Sequence, residues 1–424
     1  MRKKEFIFSL SNELPQVFAV LLAFFIPVLP KIVPLLIVLM VISVFLNPRK
    51  LRFHKEYRVF SFLFTAFYSC YLLGMTYSHN TKEGLFDLEV KLSFLVIPLF
   101  FLFHGPLKLN YLRAFFAAFV TGCLAAGFVS LNEGLQCYFL SGDTNCFFSS
   151  FITPVIHASY LAVYVCFAIL IVVHSLINYV QRMNLFMRIF NIFLIIYFSV
   201  FILLLSSKGG LLALLLVIIV SVVYYAYKNG KIKNILLLLS ALILLSVFLF
   251  SFSSYVRMRF STAIEIYKLS DEELFREHHQ STESSAVRLM IWKSAGSIIS
   301  ENPLGVGTGD NKINLLREYK KRDMTGAYGL KLNCHNQYLE TTLSVGFQGL
   351  IMLALLLLYG IYHSVKHKNF LLLWVTGIVS LNLFFESFFE RQAGVVFFVF
   401  VSWILFTSVS SVVPVSGKKG TIPD

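Results

Sequence analysis

Few side chains in this sequence can do more than fill apolar space, and their spacing is informative. His335 stands at the end of a polar stretch and directly before a long apolar run, in CHNQYLETTLSVGFQGL at 334–350. Neutral imidazole takes a proton from a hydroxyl near neutral pH, and imidazolium stabilises an anion. The same residues also suit a plain helix start with Asn333 or Asn336 as the cap. Arg288 and Trp292, four apart in RLMIW, share one face of a helix. A guanidinium keeps its charge and donates two parallel hydrogen bonds, which suits a phosphate. An Arg and Trp pair equally anchors a helix to lipid headgroups. Lys208, in SSKGG at 206–210, lies in a tight turn between apolar runs. A cation there faces either a substrate phosphate or a headgroup. Glu386, Glu390 and Arg391 occupy another such turn, FESFFERQAG. Ionisable groups near membrane depth are costly and tend to serve function, although these three can also pair with one another. Cys137 and Cys146, in QCYFLSGDTNC, would close a loop by a disulfide in an oxidising compartment and otherwise remain thiols.

The elements that must position these residues are apolar helices. Hydrophobic residues make up 57% of the 424, charged residues only 14%, and mean hydropathy is +0.76. A soluble domain is closer to a quarter charged, so a pair of soluble domains is excluded. Apolar runs recur near 14–30, 32–46, 59–77, 88–103, 111–131, 155–177, 189–205, 210–227, 234–252, 338–362, 370–387 and 393–412. Their lengths predict about twelve spanning helices, and hence an all-α polytopic membrane protein. The net charge of +14 does not point to nucleic acid, because the basic residues sit in short segments between runs. Those segments hold Arg2, Lys3 and Lys4; Arg49, Lys50, Arg52, Lys55 and Arg58; Arg182 and Arg188; Lys228, Lys231 and Lys233; Lys366 and Lys368; Lys418 and Lys419. Lys and Arg concentrate in cytoplasmic loops, so both termini are expected in the cytoplasm. The first apolar run is followed by LPKIVP and further spans, with no small-residue cleavage site.

Two loops on the opposite side exceed simple turns, one at about 132–154 and one at about 253–337. The second divides the chain into spans 1–252, a large outer loop, and spans with a tail at 338–424. It holds twelve basic and ten acidic residues, and long loops escape the charge rule that orients the rest. Within it, SSAVRLMIWKSAGSIIS at 284–300 places Val287, Ile291, Ala295 and Ile298 at helical spacing, with Ser284 or Ser285 as N-cap and ENP at 301–303 as the stop. A helix of that length with a polar face is expected to lie along the membrane surface. NPLGVGTGDN at 302–311 lacks the Lys-Ser/Thr of a phosphate-binding P-loop and reads as a turn with close backbone approach. No CxxC pair or His/Cys ligand spacing suggests a structural zinc. No cofactor and no metal are expected.

In their order and spacing, these motifs resemble the O-antigen ligase and polymerase superfamily. The resemblance covers SSKGG at 206–210, and then R288-L-M-I-W292, N302-P-L-G-V-G-T-G309, H335-N-Q-Y-L339 and V345-G-F-Q-G-L350. Elsewhere only hydropathy matches. The resemblance implies a GT-C-like membrane glycosyltransferase in the bacterial cytoplasmic membrane. It implies inverting, metal-independent transfer of a glycan from undecaprenyl pyrophosphate to an acceptor at the periplasmic face. Carried over residue by residue, Arg288 would bind the donor's pyrophosphate and His335 would act at the acceptor hydroxyl or the leaving group. Lys208 falls where the family often has arginine, so its contact would lose the bidentate geometry. Asn336, Trp292, Glu386 and Arg391 would support the site. A ligase would take lipid A-core as acceptor and a polymerase another lipid-linked repeat; His-Asn directly before the span favours the ligase. Membrane lipids are the remaining expected partner, and no nucleic acid is expected. A flippase would also have about twelve spans, but it would show two similar halves.

Overall fold

A computed structural model of the protein describes residues 2–46, 51–148, 152–153, 155–230, 265–282 and 285–412. The expected span at 234–252, the first part of the large loop, Ser284, and Lys418 and Lys419 lie outside these residues.

Among the described residues all regular structure is helical. In chain order the helices are α1 (Arg2–Val28), α2 (Val33–Phe45), α3 (Arg58–Gly74), α4 (Thr81–Lys91), α5 (Ser93–His104), α6 (Leu109–Ser141), α7 (Ala158–Tyr179), α8 (Leu185–Leu205) and α9 (Lys208–Lys228). After the undescribed segment come α10 (Asp271–His278), α11 (Ser285–Glu301), α12 (Asn311–Lys321), α13 (Thr325–Leu330), α14 (Gln337–Lys366), α15 (Phe370–Asn382) and α16 (Gln392–Val412). Among the described residues, six stretches are long and apolar enough to cross a membrane: Lys55–Tyr77, Leu109–Ser141, Ala158–Arg182, Leu185–Leu205, Gly209–Ala226 and Gln337–Lys366. Shorter apolar helices run over Glu13–Val28, Pro30–Phe45, Phe370–Asn382 and Gln392–Ser408.

Two expected boundaries move. The run at 88–103 starts later than hydropathy suggests, because its first residues, Leu88–Lys91, belong to the polar helix α4. Lys91 is held there by an ion pair to Asp87 on the same helix. The loop at 132–154 is shorter than expected, because α6 continues to Ser141 and carries Cys137 on its last turns. In the structure Cys137 is bonded to Cys146, with Cα atoms 5.7 Å apart.

Packing within the bundle is aromatic. Phe60, Phe64, Phe94, Phe101 and Trp403 are buried together where α3, α5 and α16 meet, with Phe101 and Trp403 stacked at 5.7 Å. In lipid there is little hydrophobic force between helices, so dispersion among interlocking rings holds them. Outside the bundle, α10 to α13 form a helical cap with its own core of Val287, Met290, Ile291, Leu315, Tyr319 and Met324. That core changes the expectation for α11. Val287, Ile291, Ala295 and Ile298 are buried in the cap (0–8% exposed) and are not free to lie on lipid. Apolar periodicity correctly marks the face that is covered, and the protein itself covers it.

The bundle has two distinct ends. At one, the starts of α7 and α14 meet the turn after α15: Tyr160 Oη donates to Ser387 O at 3.3 Å, and Gln337 N to Leu383 O at 2.8 Å. At the other, Lys228 Nζ donates to Asn178 Oδ1 at 2.5 Å, and Asn369 Nδ2 to Leu405 O at 2.6 Å. The cap sits on the first end through contacts of α11 and α12 with α14.

Candidate active site

His335 lies in the short lead-in to α14, on a backbone in the left-handed region (φ +47°). The neighbouring asparagines hold it there. Asn333 Oδ1 accepts the His335 N–H at 3.1 Å. Asn336 is the N-cap of α14, its Oδ1 accepting from Tyr338 N and Leu339 N at 3.0 and 3.2 Å. The cap role therefore falls to Asn336, which leaves the imidazole of His335 free of it. Trp292 on α11 fixes the same lead-in from above, its Nε1 donating to Cys334 O at 3.0 Å.

The His335 ring is partly enclosed, with 27% of its side chain exposed. Its Nδ1 is buried without a hydrogen-bond partner and lies 4.0 Å from Glu386 Oε1. Burial pushes the pKa of His335 below the ordinary histidine value, since the charged form loses hydration. Glu386 draws it back up, while Arg288 and His157 lower it further. One carboxylate, one guanidinium and a second imidazole therefore act on the same ring.

Glu386 belongs to the turn between α15 and α16. Its other oxygen accepts from Ser159 Oγ at 3.2 Å, and Ser159 Oγ lies 2.6 Å from His157 Nδ1. His157 and Ser159 start α7, and the His157 side chain caps that helix. The turn itself is held by Glu390 and Gln337. Glu390 Oε1 accepts from Lys91 Nζ at 3.0 Å and from Gln337 Nε2 at 3.2 Å, and Gln337 Oε1 accepts Phe389 N at 2.6 Å. Lys91 is fully buried between Glu390 and Asp87, and its ammonium stands 4.7 Å from the Tyr71 ring centre. The alternative that Glu386, Glu390 and Arg391 pair with one another is not what the structure has: Glu390 pairs with Lys91 and Glu386 faces His335. Arg391 is exposed at the start of α16 and forms no ion pair among the described residues.

Lys208 is the first residue of α9, at the same end of the bundle. A side chain on Gly210 would overlap Ala162, so the start of α9 is pressed against the first turns of α7. Beside it, both polar atoms of Asn382, at the end of α15, are buried without partners. The structure thus brings His335, Arg288, Trp292, Asn336 and Glu386 together and sets the backbone of Lys208 on the same face.

Sequence reasoning missed His157, Ser159, Lys91 and Glu340. His157 had a signal, since it directly precedes an apolar run just as His335 does. Lys91 had one too, as an ion within an apolar run. Glu340, one turn beyond His335, was hidden by the capping pattern around it.

A bundle of apolar helices with a polar end built from helix starts and closed by a helical cap has the architecture of a polytopic membrane protein. Residues 192–354 match the family model described as O-antigen ligase. The match runs from α8 into α14, and so contains Lys208, Arg288, Trp292 and His335. A comparison with curated proteins returns no match.

Proposed function

We propose that the protein is a glycosyltransferase of the O-antigen ligase type, moving a glycan from undecaprenyl pyrophosphate to a lipid A-core or similar acceptor. The observation that carries this is the partnerless Nδ1 of His335 facing Glu386, on a ring that also feels Arg288. With Nδ1 protonated toward Glu386, Nε2 accepts the proton of the acceptor hydroxyl. The acceptor oxygen then bonds to the anomeric carbon as the bond from that carbon to the phosphate oxygen breaks, with inversion. The diphosphate leaves as an anion, and Arg288, with Lys208, offsets its charge. The bond energy lies in the lipid diphosphate, so the reaction needs no ATP, and in this proposal the two cationic side chains take the place of a metal at the leaving group. In this proposal the capped end faces the periplasm, both termini are cytoplasmic, and the chain crosses the inner membrane about twelve times.

The test uses the full-length protein in membranes that hold lipid-linked glycan and acceptor. His335→Ala and Arg288→Ala, present at wild-type level, are expected to lower transfer by about a hundredfold or more. Transfer by either variant at the wild-type rate would refute the assignment. In cells, loss of function with accumulation of full-length lipid-linked polymer identifies a ligase. Accumulation of single repeat units identifies a polymerase instead.

A further inference from the structure

Glu340 is 3% exposed, one helical turn past His335, and three separate segments converge on it. Its Oε2 accepts the Cys334 N–H at 2.9 Å and the Ser387 hydroxyl at 3.4 Å, and its Oε1 accepts Asn311 Nδ2 at 2.9 Å. Cys334 directly precedes His335 and Ser387 directly follows Glu386. Asn311 is the first residue of α12 in the cap. Burial, then the Glu340 carboxylate, hold the Cys334 thiol well above its usual range, so it remains a thiol.

We propose that Glu340 is the positioning residue that sets His335 against Glu386, by acting as a pure acceptor for donors from the His335 lead-in, the Glu386 turn and the cap. An ionised carboxylate is the only side chain of this length that offers acceptors and no donor. Glutamine has the same shape, but its amide N–H would face either the Cys334 N–H, which can only donate, or Asn311 Nδ2, which is turned toward it because Asn311 Oδ1 accepts from Lys312 N. One of the three contacts must then open, which leaves a buried donor unsatisfied and releases one of the segments. The imidazole and the carboxylate sit on different segments. Gln337 ties the start of α14 to the turn at Leu383, Phe389 and Glu390, and among the described residues Glu340 alone reaches the residues next to His335 and Glu386 and the cap at once. The proposal rests on His335 being the residue that acts on the acceptor.

The test compares Glu340→Gln with the double variant Glu340→Gln/Asn311→Asp, in detergent-purified full-length protein. The double variant lets the glutamine amide donate to the new carboxylate at 311 and returns its oxygen to Cys334 and Ser387. Glu340→Gln is expected to lose about tenfold or more in kcat with KM for the donor little changed, since binding by Arg288 is untouched. The double variant is expected to recover to within about threefold of wild type. A Glu340→Gln enzyme with wild-type kcat would overturn the proposal, as would a double variant without recovery, folded or not. A second readout does not depend on transfer. In histidine-labelled protein, the His335 ring should titrate about half a pH unit lower in Glu340→Gln and return in the double variant. If that pattern appears while wild type and His335→Ala transfer glycan equally, the proposed function fails and the positioning role stands. If His335→Ala is inactive and the titration does not move, the positioning role fails alone.

Discussion

His335 combines a left-handed backbone, an enclosed Nδ1 and a carboxylate at 4.0 Å. A non-glycine residue in that region is mildly strained and persists only where its surroundings impose it. Here they are Asn333, Asn336 and Trp292, all hydrogen-bonded to the lead-in or to the helix it begins. The electrostatics give a signed expectation. Glu386 raises the pKa of His335 against burial, Arg288 and His157, so Glu386→Gln should lower it. The neutral base then persists to lower pH, and the acidic limb of the kcat/KM profile should move down by about half a unit to one unit. At pH 7.5 the rate should nevertheless fall about tenfold, because the imidazolium formed during transfer loses its counter-charge. A limb that stays in place, or moves up, would show that Glu386 does not act on the base.

At the scale of elements, α14 does two jobs and is interrupted where they meet. Val345 and Gly346 leave helical geometry, and the glycine loop after α11 fills the gap. Val306 N donates to Leu343 O at 2.9 Å, Gly307 N to Ser344 O at 3.0 Å, and Phe347 N to Pro303 O at 3.1 Å. Gly346 has φ +72°, and a side chain there would run into the backbone of Leu304. Gly305 has φ +87°, and a Cβ on it would lie 2.6 Å from Ser344 O. Gly346→Ala should therefore destabilise by about 1–3 kcal/mol from its backbone alone, before overlap is counted. Gly296→Ala on α11, where nothing lies within 4 Å of the added atom, should be neutral or slightly stabilising. Thermal unfolding of the detergent-solubilised protein separates the two, and equal midpoints would contradict the account of the break. The sequence displayed some of this organisation. The glycine loop read as a close backbone approach, α11 ends at Glu301 as ENP requires, and Asn336 caps α14. The break in α14 did not show, because the apolar run continues through it and Val-Gly is unremarkable inside a span. Burial of α11 in the cap was equally hidden, since periodicity gives the apolar face and not what covers it. The pairing of Lys91 with Glu390 joins residues 299 apart in the chain, a distance over which local patterns carry no information.

Over the whole molecule, polar groups are divided between the two ends. The site, the cap and the disulfide-linked end of α6 lie at or near one end, while Lys228, Lys366 and Lys368 lie at the other, beside the ends of α7, α14 and α16. Under the charge rule the proposed orientation, with the capped end outside, is the expected one. Single cysteines introduced at Lys331, exposed on the cap, and at Lys366, exposed at the far end, test it directly. Lys331→Cys should react with a membrane-impermeant maleimide in cells with a permeabilised outer membrane, and Lys366→Cys only after the inner membrane is broken. The opposite pattern would invert the proposed orientation.

The splice between the glycine loop and α14 also bears on modularity. A cap that merely rested on the bundle could be exchanged between related chains or deleted to give a minimal membrane core. Here the carbonyls of Leu343 and Ser344 have their partners in the loop that ends the cap's main helix. Excision would strand them at the edge of the lipid, where each unsatisfied group costs about 1–3 kcal/mol. The cap is consequently part of how a spanning helix completes its own backbone, and a graft that brings a foreign cap must bring its glycine loop and the matching stretch of α14 as one piece.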